Sequence, residues 1–573
     1  MKKRKILYIL LLTLIVAGSA ISATLQEERQ YETAVFTQKK VGGFANVPVD
    51  EIFAYSYNSE SNTWTLIPFQ IDEQIFVPDP LSSTGQKKWF YFPPPDTSNN
   101  GIFDSHDELV FMVKDLGDWA PRSSWIDNAD ARIHDRLQMR VYHPQDGSKQ
   151  GYLYLYQSST LSRDDIPRPY NMTFDEQTET ISSAFYDFQF GDPGLIETVV
   201  LKQGNQRYDI LDRLKARVNG VFNTSFGPIE LTLNEEIMGS QDVQVTPDPI
   251  VRMIHQANYK LMLPGLDEID NIFTVKTKFY PYTGTIYGGD TLTPATIAKH
   301  MEDPIEIRFK DLRFSWDFNE NATGMKFYSK YNDGITVDGV PDNVNKTIDR
   351  PASAGENVSL WGLTTGTPGS VFTYGRFANS TWDDIELYYY DNKDGGQADD
   401  DIFNTPETGD GMSYGDYGML FMRDVESDTI DFTLDFTLQM MPVQNADWEL
   451  GDLLARNLED TLLVNSDLIT EVDDETGASL PSGIQLYQNY PNPFNNSTQI
   501  RFDLDRNEHV KLVIYDSNGR LVSTLINSTL NAGPHTLHWS GVNNRGVEVP
   551  SGVYFYQLDS DHGSLRHKLV LIR

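Results

Sequence analysis

The sequence predicts an all-β chain, a series of β-sandwiches with a large antiparallel one in the middle and a small one at the C-terminal end. Three observations carry this. Short runs in which apolar and polar residues alternate recur from Thr33 to the last residues, the period of a strand with one face buried. Aromatic residues make up 12% of the chain, and 41 glycines and 29 prolines punctuate it at short intervals, a pattern of strands and turns rather than of bundled helices. Helical spacing stands out only at Leu450, Leu453, Leu454, Leu458 and Leu462.

Composition narrows the chemistry. The 573 residues, enough for three to four domains, carry a formal net charge of −36 with a pI near 4.5. That excludes nucleic acid as a partner, which requires a basic footprint, and suits an exported protein or one that collects divalent cations. With 0 cysteines, disulfides, thiolate nucleophiles, iron–sulfur clusters and cysteine zinc sites are excluded. Residues 1–23 open with Lys2-Lys3-Arg4-Lys5, continue through an apolar run from Ile6 to Ala17 and close on small residues. This is the pattern of a secretory signal peptide cut near Ala20 or Ala23. Elsewhere no apolar run is long enough for a helical membrane span.

Residues 24–165 read as an N-terminal β-sandwich. Its strands are signalled by Thr33–Phe36, Ile52–Tyr55, Trp64–Ile67 and Leu109–Met112, and a hairpin by Arg140–Tyr142 with Tyr152–Tyr156. In the last run Leu153 and Leu155 face one way and the three tyrosines the other. Between these strands lies Asp96-Thr-Ser-Asn-Asn-Gly-Ile-Phe-Asp-Ser-His-Asp107. Numbered as a twelve-residue calcium loop, it places Asp96, Ser98 and Asn100 at positions 1, 3 and 5. Gly101 makes the sharp turn at position 6, the Ile102 carbonyl is at 7, Asp104 at 9 and Asp107 at 12. Calcium needs six to eight oxygens, and this spacing gathers them. Pro93-Pro94-Pro95 precludes an entering helix, so the loop is expected between strands, with His106 facing solvent.

Residues 166–445 read as one large antiparallel sandwich. Candidate strands are Glu197–Leu201, Ile229–Leu233, Ile272–Phe279, Ile305–Phe309 and Ile430–Leu438, several of them long. The length suits the broad sandwiches of mutarotase-like and polysaccharide-lyase β-domains, an analogy of fold only. Trp316, Trp361, Trp382, Tyr388, Tyr389 and Tyr390 are candidate platforms for sugar rings, although aromatics in sandwiches are more often core. Asp391, Asp394, Asp399, Asp400 and Asp401 form a second acidic cluster, to be splayed into water or gathered by a cation. His106, His134, His143, His255 and His300 are scattered singly, and no nucleophile, zinc-protease or phosphate-loop spacing occurs, so the sequence names no catalytic residue.

Residues 446–483 read as a short helix and an acidic linker, Glu471-Val-Asp-Asp-Glu. In 484–573, Ile500, Phe502 and Leu504, then Val510, Leu512 and Ile514, alternate with polar residues, and Asp516–Gly519 turns between the strands. This reads as a small Ig-like sandwich. Tyr490-Pro-Asn-Pro-Phe-Asn495, Ile514-Tyr-Asp516, Gly519-Arg520, Ala532-Gly533, Trp539-Ser-Gly541, Ser551-Gly-Val-Tyr554 and the closing strand from Lys568 to Arg573 occur in that order. The segment resembles the type A C-terminal sorting domain of the type IX secretion system. It departs from that pattern at Asn496, where a proline is usual, and at Ser540, where Asp is common. The resemblance implies that the chain crosses the periplasm, engages the type IX machinery through 484–573, and is secreted or held on the outer cell surface. It implies nothing about activity.

Two functions are therefore expected of the remainder. One is a calcium-stabilised, non-catalytic surface protein that binds glycan or matrix or builds the envelope. The other is a secreted polysaccharide-active enzyme, a glycoside hydrolase or lyase, which should gather titratable groups and aromatics in a cleft.

Overall fold

The computed structural model describes residues 24–572, except 79–86, 93–98, 192–195, 225–226, 234–237, 262–268, 289–290, 293–305, 352–356, 379–383, 395–412, 428–429, 432–433, 471–483, 488, 490–491, 496, 505–506, 517–518, 532 and 561–562. The fold is all-β and multidomain. Among the described residues no helix is long and apolar enough to cross a membrane.

A nine-stranded sheet dominates the body. Its strands lie in the order Met238–Val245, Met253–Leu261, Ile269–Phe279, Thr283–Gly288, Leu434–Met441, Gly369–Ala378, Asn357–Gly366, Lys326–Ser329 and Asn332–Thr336. A five-stranded sheet packs on it, in the order Gly227–Leu233, Leu211–Thr224, Glu306–Phe318, Ser413–Ser427 and Asp384–Asn392. Alternation along these strands sends Leu214, Leu312, Trp316, Tyr417, Met419, Ile385 and Leu387 inward. They meet the larger sheet through ring contacts such as Trp316–Phe436 at 5.6 Å, Phe327–Tyr417 at 4.8 Å and Phe377–Phe421 at 4.9 Å. This is sandwich packing, with inner faces interdigitated. The run Ile430–Leu438, read as one strand, is divided. Ile430–Asp431 pairs with Thr291–Leu292, whereas Leu434–Met441 enters the large sheet.

N-terminal to this body, Glu108–Met112 is the middle strand between Thr33–Thr37 and Phe69–Asp72. A second sheet orders Thr63–Leu66, Ile52–Asn58, Gln150–Gln157, Arg136–Tyr142 and Leu463–Ile469. Leu153 and Leu155 point into the main apolar core. Tyr152, Tyr154 and Tyr156 form a separate aromatic layer with Trp125 on the opposite face. The main core runs without a break from Leu25 through Leu153, Phe279 and Trp316 to Leu462. Leu463–Ile469, expected as the beginning of a linker, instead pairs along Arg136–Tyr142. Its alternating Leu463, Asn465, Asp467 and Ile469 satisfy a sheet edge as readily as a linker.

Helix Trp448–Glu459 forms where leucine spacing predicts it, capped by the Asp447 carboxylate on the Leu450 N–H. It lies over Trp361, whose indole meets Trp448 at 5.8 Å, and Leu454 is buried beneath it. Leu462 lies beyond the helix end yet is buried in the main core.

The C-terminal unit is a two-sheet sandwich. Ile484–Leu486, Thr498–Leu504 and Gly533–Trp539 face Leu521–Leu530, Glu508–Asp516, Gly552–Ser560 and Gly563–Leu571. Ile500, Phe502, Leu504, Val510, Leu512, Ile514, Tyr556 and Leu558 close a core distinct from that of the body.

Candidate functional site

The twelve-residue acidic loop ends at the middle strand of the N-terminal sheet. Asp96 and Ser98 lie outside the described residues. Asn100, Ile102, Asp104 and Asp107 are described. Gly101 adopts φ +70°, the left-handed conformation expected at the sixth position. The loop is pinned by fully buried Phe103. Its backbone bridges the chain at 46–49, with Phe103 N–H to the Val47 carbonyl at 2.9 Å and Val49 N–H to the Gly101 carbonyl at 3.0 Å.

The side chains are turned largely onto the loop itself. Asn100 Oδ1 accepts from Ile102 N–H at 2.9 Å, and Asn100 Nδ2 donates to Asp104 Oδ2 at 3.1 Å. Asp107 is 1% exposed, and its two oxygens accept from the Gln74 and Asp104 N–H groups at 2.8 and 2.7 Å. The sequence reading omitted one acid. Glu73 follows strand Phe69–Asp72 and accepts from Gly101 N–H at 2.7 Å. Burial, with added repulsion from Asp104 and Glu73, pushes Asp107 up to about 6 despite its backbone donors. Burial and Asp104 likewise raise Glu73. Among the described residues, no three acidic or histidine side chains converge tightly enough to enclose a metal ion as they stand. His106 is partly buried, with its ring 2.9 Å from the Ser105 hydroxyl.

Directly beside the loop is a mixed-charge network that no spacing in the sequence announces. Asp72 and Glu108 are register partners on adjacent strands. Fully buried Arg252, just before strand Met253–Leu261, joins them, with Nε to Asp72 Oδ2 at 2.6 Å and Nη1 to Glu108 Oε2 at 2.7 Å. Gln70 fixes that approach by accepting from the N–H groups of Ile250, Val251 and Arg252 and donating to the Arg252 carbonyl at 2.8 Å. Tyr91 O–H donates to Glu108 Oε2 at 2.8 Å, and Lys278 Nζ donates to Tyr91 Oη at 2.8 Å. Lys276 and Lys278 each lie 4.9 Å from the Tyr91 ring centre. Burial, reinforced by Arg252, pushes Lys278 down to about 8. Burial would raise Glu108, but Arg252 and Lys278 together hold it below the usual carboxylate range. Burial and Glu108 drive the Tyr91 phenol up. The only local signal for this constellation was polar residues, Gln70 and Asp72, inside an otherwise apolar strand.

A second polar layer lies on the five-stranded sheet. Its outward face, which alternation reads as solvated, is buried: Lys215, Arg217, Arg313, Ser315, Asp317 and Asp416 are all 0–1% exposed. Lys215 Nζ is 2.8 Å from Asp317 and 3.6 Å from Asp416.

Four of the six candidate sugar platforms are buried. Trp316, Trp361, Tyr388 and Tyr389 are 1%, 6%, 7% and 8% exposed, Tyr390 is half-buried and Trp382 lies outside the described residues. Trp361 is roofed by the helix, and the Arg313 guanidinium lies 4.4 Å from the Tyr388 ring centre. Of the second acidic cluster, Asp391 is 2% exposed and Asp394 is exposed. Asp399, Asp400 and Asp401 lie outside the described residues.

Residues 492–564 match the family of FlgD Ig-like domains, in agreement with the small C-terminal sandwich. No curated protein matches the chain. Among solved structures, the chain is similar to dimeric latent PorU from Porphyromonas gingivalis, at 11% identity and a TM-score of 0.15, over 73% of this chain and 35% of that one. It is also similar to PorZ of the same organism, described as an essential bacterial surface component of the type-IX secretion system, at 12% identity and a TM-score of 0.14, over 69% of each chain.

Proposed function

We propose that this is an exported cell-surface or secreted protein in which 484–573 is a type IX secretion address and the body is a calcium-stabilised, non-catalytic scaffold for glycan or matrix binding or for envelope structure. The observation that carries the first half is the separate core of the tail, from Leu486 to Leu571. Motif residues, among them Phe494, Trp539 and Tyr554, contribute to it. Asn492 accepts from Val570 N–H at 2.8 Å and donates to the Lys568 carbonyl at 3.3 Å. Phe494 packs on Trp539 at 5.6 Å and Trp539 on Tyr554 at 5.3 Å. The first motif thus clasps the last strand, Gly563–Leu571, which forms a sheet edge with Arg566 and Lys568 exposed. A cationic edge on an acidic chain is a distinct surface for secretion machinery to read. Deleting 484–573 should trap a folded body in the periplasm, and normal surface delivery of the truncated chain would refute the address.

The scaffold half draws on the way the body's buried charges are spent on one another, as at Arg252, Asp72 and Glu108. The calcium assignment draws on Asn100, Asp104 and Asp107 lying in one loop around left-handed Gly101, with Glu73 as an added acid. One observation favours the alternative, a polysaccharide-active enzyme. The chain Lys278–Tyr91–Glu108 is hydrogen-bonded throughout and includes an amine pushed down to about 8, a disposition suited to proton transfer. Turnover of any member of a polysaccharide panel, lost in Tyr91→Phe, would select that reading. Uniform inactivity with retained glycan or matrix binding would select the scaffold.

A further inference from the structure

We infer that residues 448–469, comprising helix Trp448–Glu459 and edge strand Leu463–Ile469, are a strap that docks last, closes the two ends of the body on each other, and opens as one unit before the body unfolds. The two ends cap each other. The short helix Leu25–Glu28 ends at Arg29, whose side chain is 0% exposed. Its guanidinium donates to the Asn457 carbonyl at 3.1 Å and to the Asp460 carbonyl at 2.7 Å. These lie at the end of the longer helix, where no later turn satisfies them. Glu32 accepts from the same guanidinium at 3.0 and 2.9 Å and holds it in place. In return, Asn457 Nδ2 donates to the Glu28 carbonyl, at the end of the short helix, at 3.1 Å. Beyond the longer helix, Leu462 enters the main core, the Ser466 hydroxyl donates to the Val41 carbonyl, and Leu463–Ile469 pairs residue by residue with Arg136–Tyr142. Ile469 joins the aromatic layer of Tyr154 and Tyr156.

The side-chain bonds of this clasp join residues 425 to 431 apart. The loop they close is nearly the whole body, and that closure is repaid only once the rest is in place. Nothing else waits on them. Leu463–Ile469 is an edge strand with one neighbour. The other four strands of its sheet, Thr63–Leu66, Ile52–Asn58, Gln150–Gln157 and Arg136–Tyr142, pair with one another without it. The helix rests on the large sheet through Leu454 and Ala455, in an apolar cluster separate from the main core. Undocking the strap therefore breaks no other strand pair, the property of a unit that opens locally and cooperatively. It uncovers the edge of Arg136–Tyr142 and the seat of Leu462, and an open edge invites pairing with another chain. In an exported chain the body stays unclosed until residue 469 has been delivered.

The test uses the full mature chain. Amide hydrogen exchange is followed by mass spectrometry in sub-denaturing urea, and by pulsed labelling during refolding. Helix Trp448–Glu459 and strand Leu463–Ile469 should exchange together, faster than Gly369–Ala378 in the large sheet and with a weaker dependence on urea. On refolding they should gain protection after Gly369–Ala378. Asn457→Ala and Ser466→Ala each remove one bond of the clasp. Each should speed exchange in 448–469 by about fivefold while leaving Gly369–Ala378 unchanged. The inference is overturned if 448–469 exchanges only together with the large sheet, or if it is protected with or before Gly369–Ala378 on refolding. It is also overturned if the two variants leave exchange in 448–469 unchanged or speed it equally in both places.

Discussion

Asp72 and Glu108 stand directly opposite each other on neighbouring strands, and Arg252 bridges both carboxylates. Like charges in register destabilise a sheet, so the guanidinium is the condition for this pairing. Arg252→Ala would leave two acids, 8% and 15% exposed, without their buried counter-ion. The expected loss is about 3–5 kcal/mol, since a broken buried pair strands a charge. The sign of the pH response should invert as well. In the native chain Glu108 is held low, so its stabilisation is lost as pH falls through the folded pKa. In the variant burial acts on Glu108 with only Lys278 and the Tyr91 hydroxyl left to oppose it, and stability should recover on acidification. Urea melts at several pH values check both.

A second pH effect comes from Asp107. Its folded pKa of about 6 lies above the ordinary aspartate value of 3.8. The stabilisation linked to proton uptake is therefore complete below about 4 and lost as pH rises through about 6. Asp107→Asn sacrifices one of two backbone bonds, so it should be less stable throughout, but its pH 4–6 slope should be flatter. An unchanged slope would place the titration elsewhere, with Asp391 the next group to test.

Calcium should act on the same loop with the opposite sense, favouring charged Asp104 and Asp107. Few formal charges imply modest affinity, a Kd of roughly 10⁻⁵ to 10⁻³ M. At a calcium concentration of 100 Kd the gain would be about 2.7 kcal/mol. Asp104 is the informative position because it caps only the His106 N–H, at 3.3 Å, through one oxygen and takes Asn100 Nδ2 through the other. Asp104→Asn should fold normally and lose the loop's share of the calcium-dependent rise in melting temperature.

What the sequence conveyed follows from the range of the interactions. Period-two alternation is local, so Leu153 and Leu155 were assigned to one face and Tyr152, Tyr154 and Tyr156 to the other, as observed. Gly101 was legible because a left-handed turn has a residue-specific cost. Arg252 was not, because it meets Gln70 and Asp72 across 182 and 180 residues, and nothing in a local window encodes such a partner. The burial of Lys215, Arg217 and Arg313 was not legible, because alternation reports a difference between faces, not what lies over either. Leu463–Ile469 read as linker because an edge strand beside a polar face needs little apolar content.

The helix over Trp361 supplies a packing test. A Cβ at Gly451 would lie 2.4 Å from the indole ring, inside any contact distance, and Trp361 is held by Trp448 and Phe372. Gly451→Ala should therefore cost about 1–3 kcal/mol through overpacking, even though alanine is the better helix former. A stability equal to or above that of the parent would mean that the helix lifts off the sheet freely.

The tail separates folding from sorting. Asn492→Ala removes the two side-chain hydrogen bonds from the first motif to the last strand, leaving the backbone bonds of Phe494 with Val570 and Ile572. It should lower the stability of the C-terminal module by about 1–3 kcal/mol, leaving the backbone N–H of Val570 without its side-chain acceptor. The body's transition should not move, because the two cores share no buried residue. Charge reversal at Arg566 and Lys568 probes the other property. Both are exposed on the edge strand, so R566E/K568E should lose little stability beyond the contact of the Arg566 guanidinium with the Phe555 ring at 4.4 Å. If the cationic edge is what the machinery reads, that variant should accumulate in the periplasm as a folded protein, whereas Asn492→Ala should fail only as far as its module unfolds. Normal delivery of R566E/K568E would leave the sandwich as the address and remove the edge charges from it.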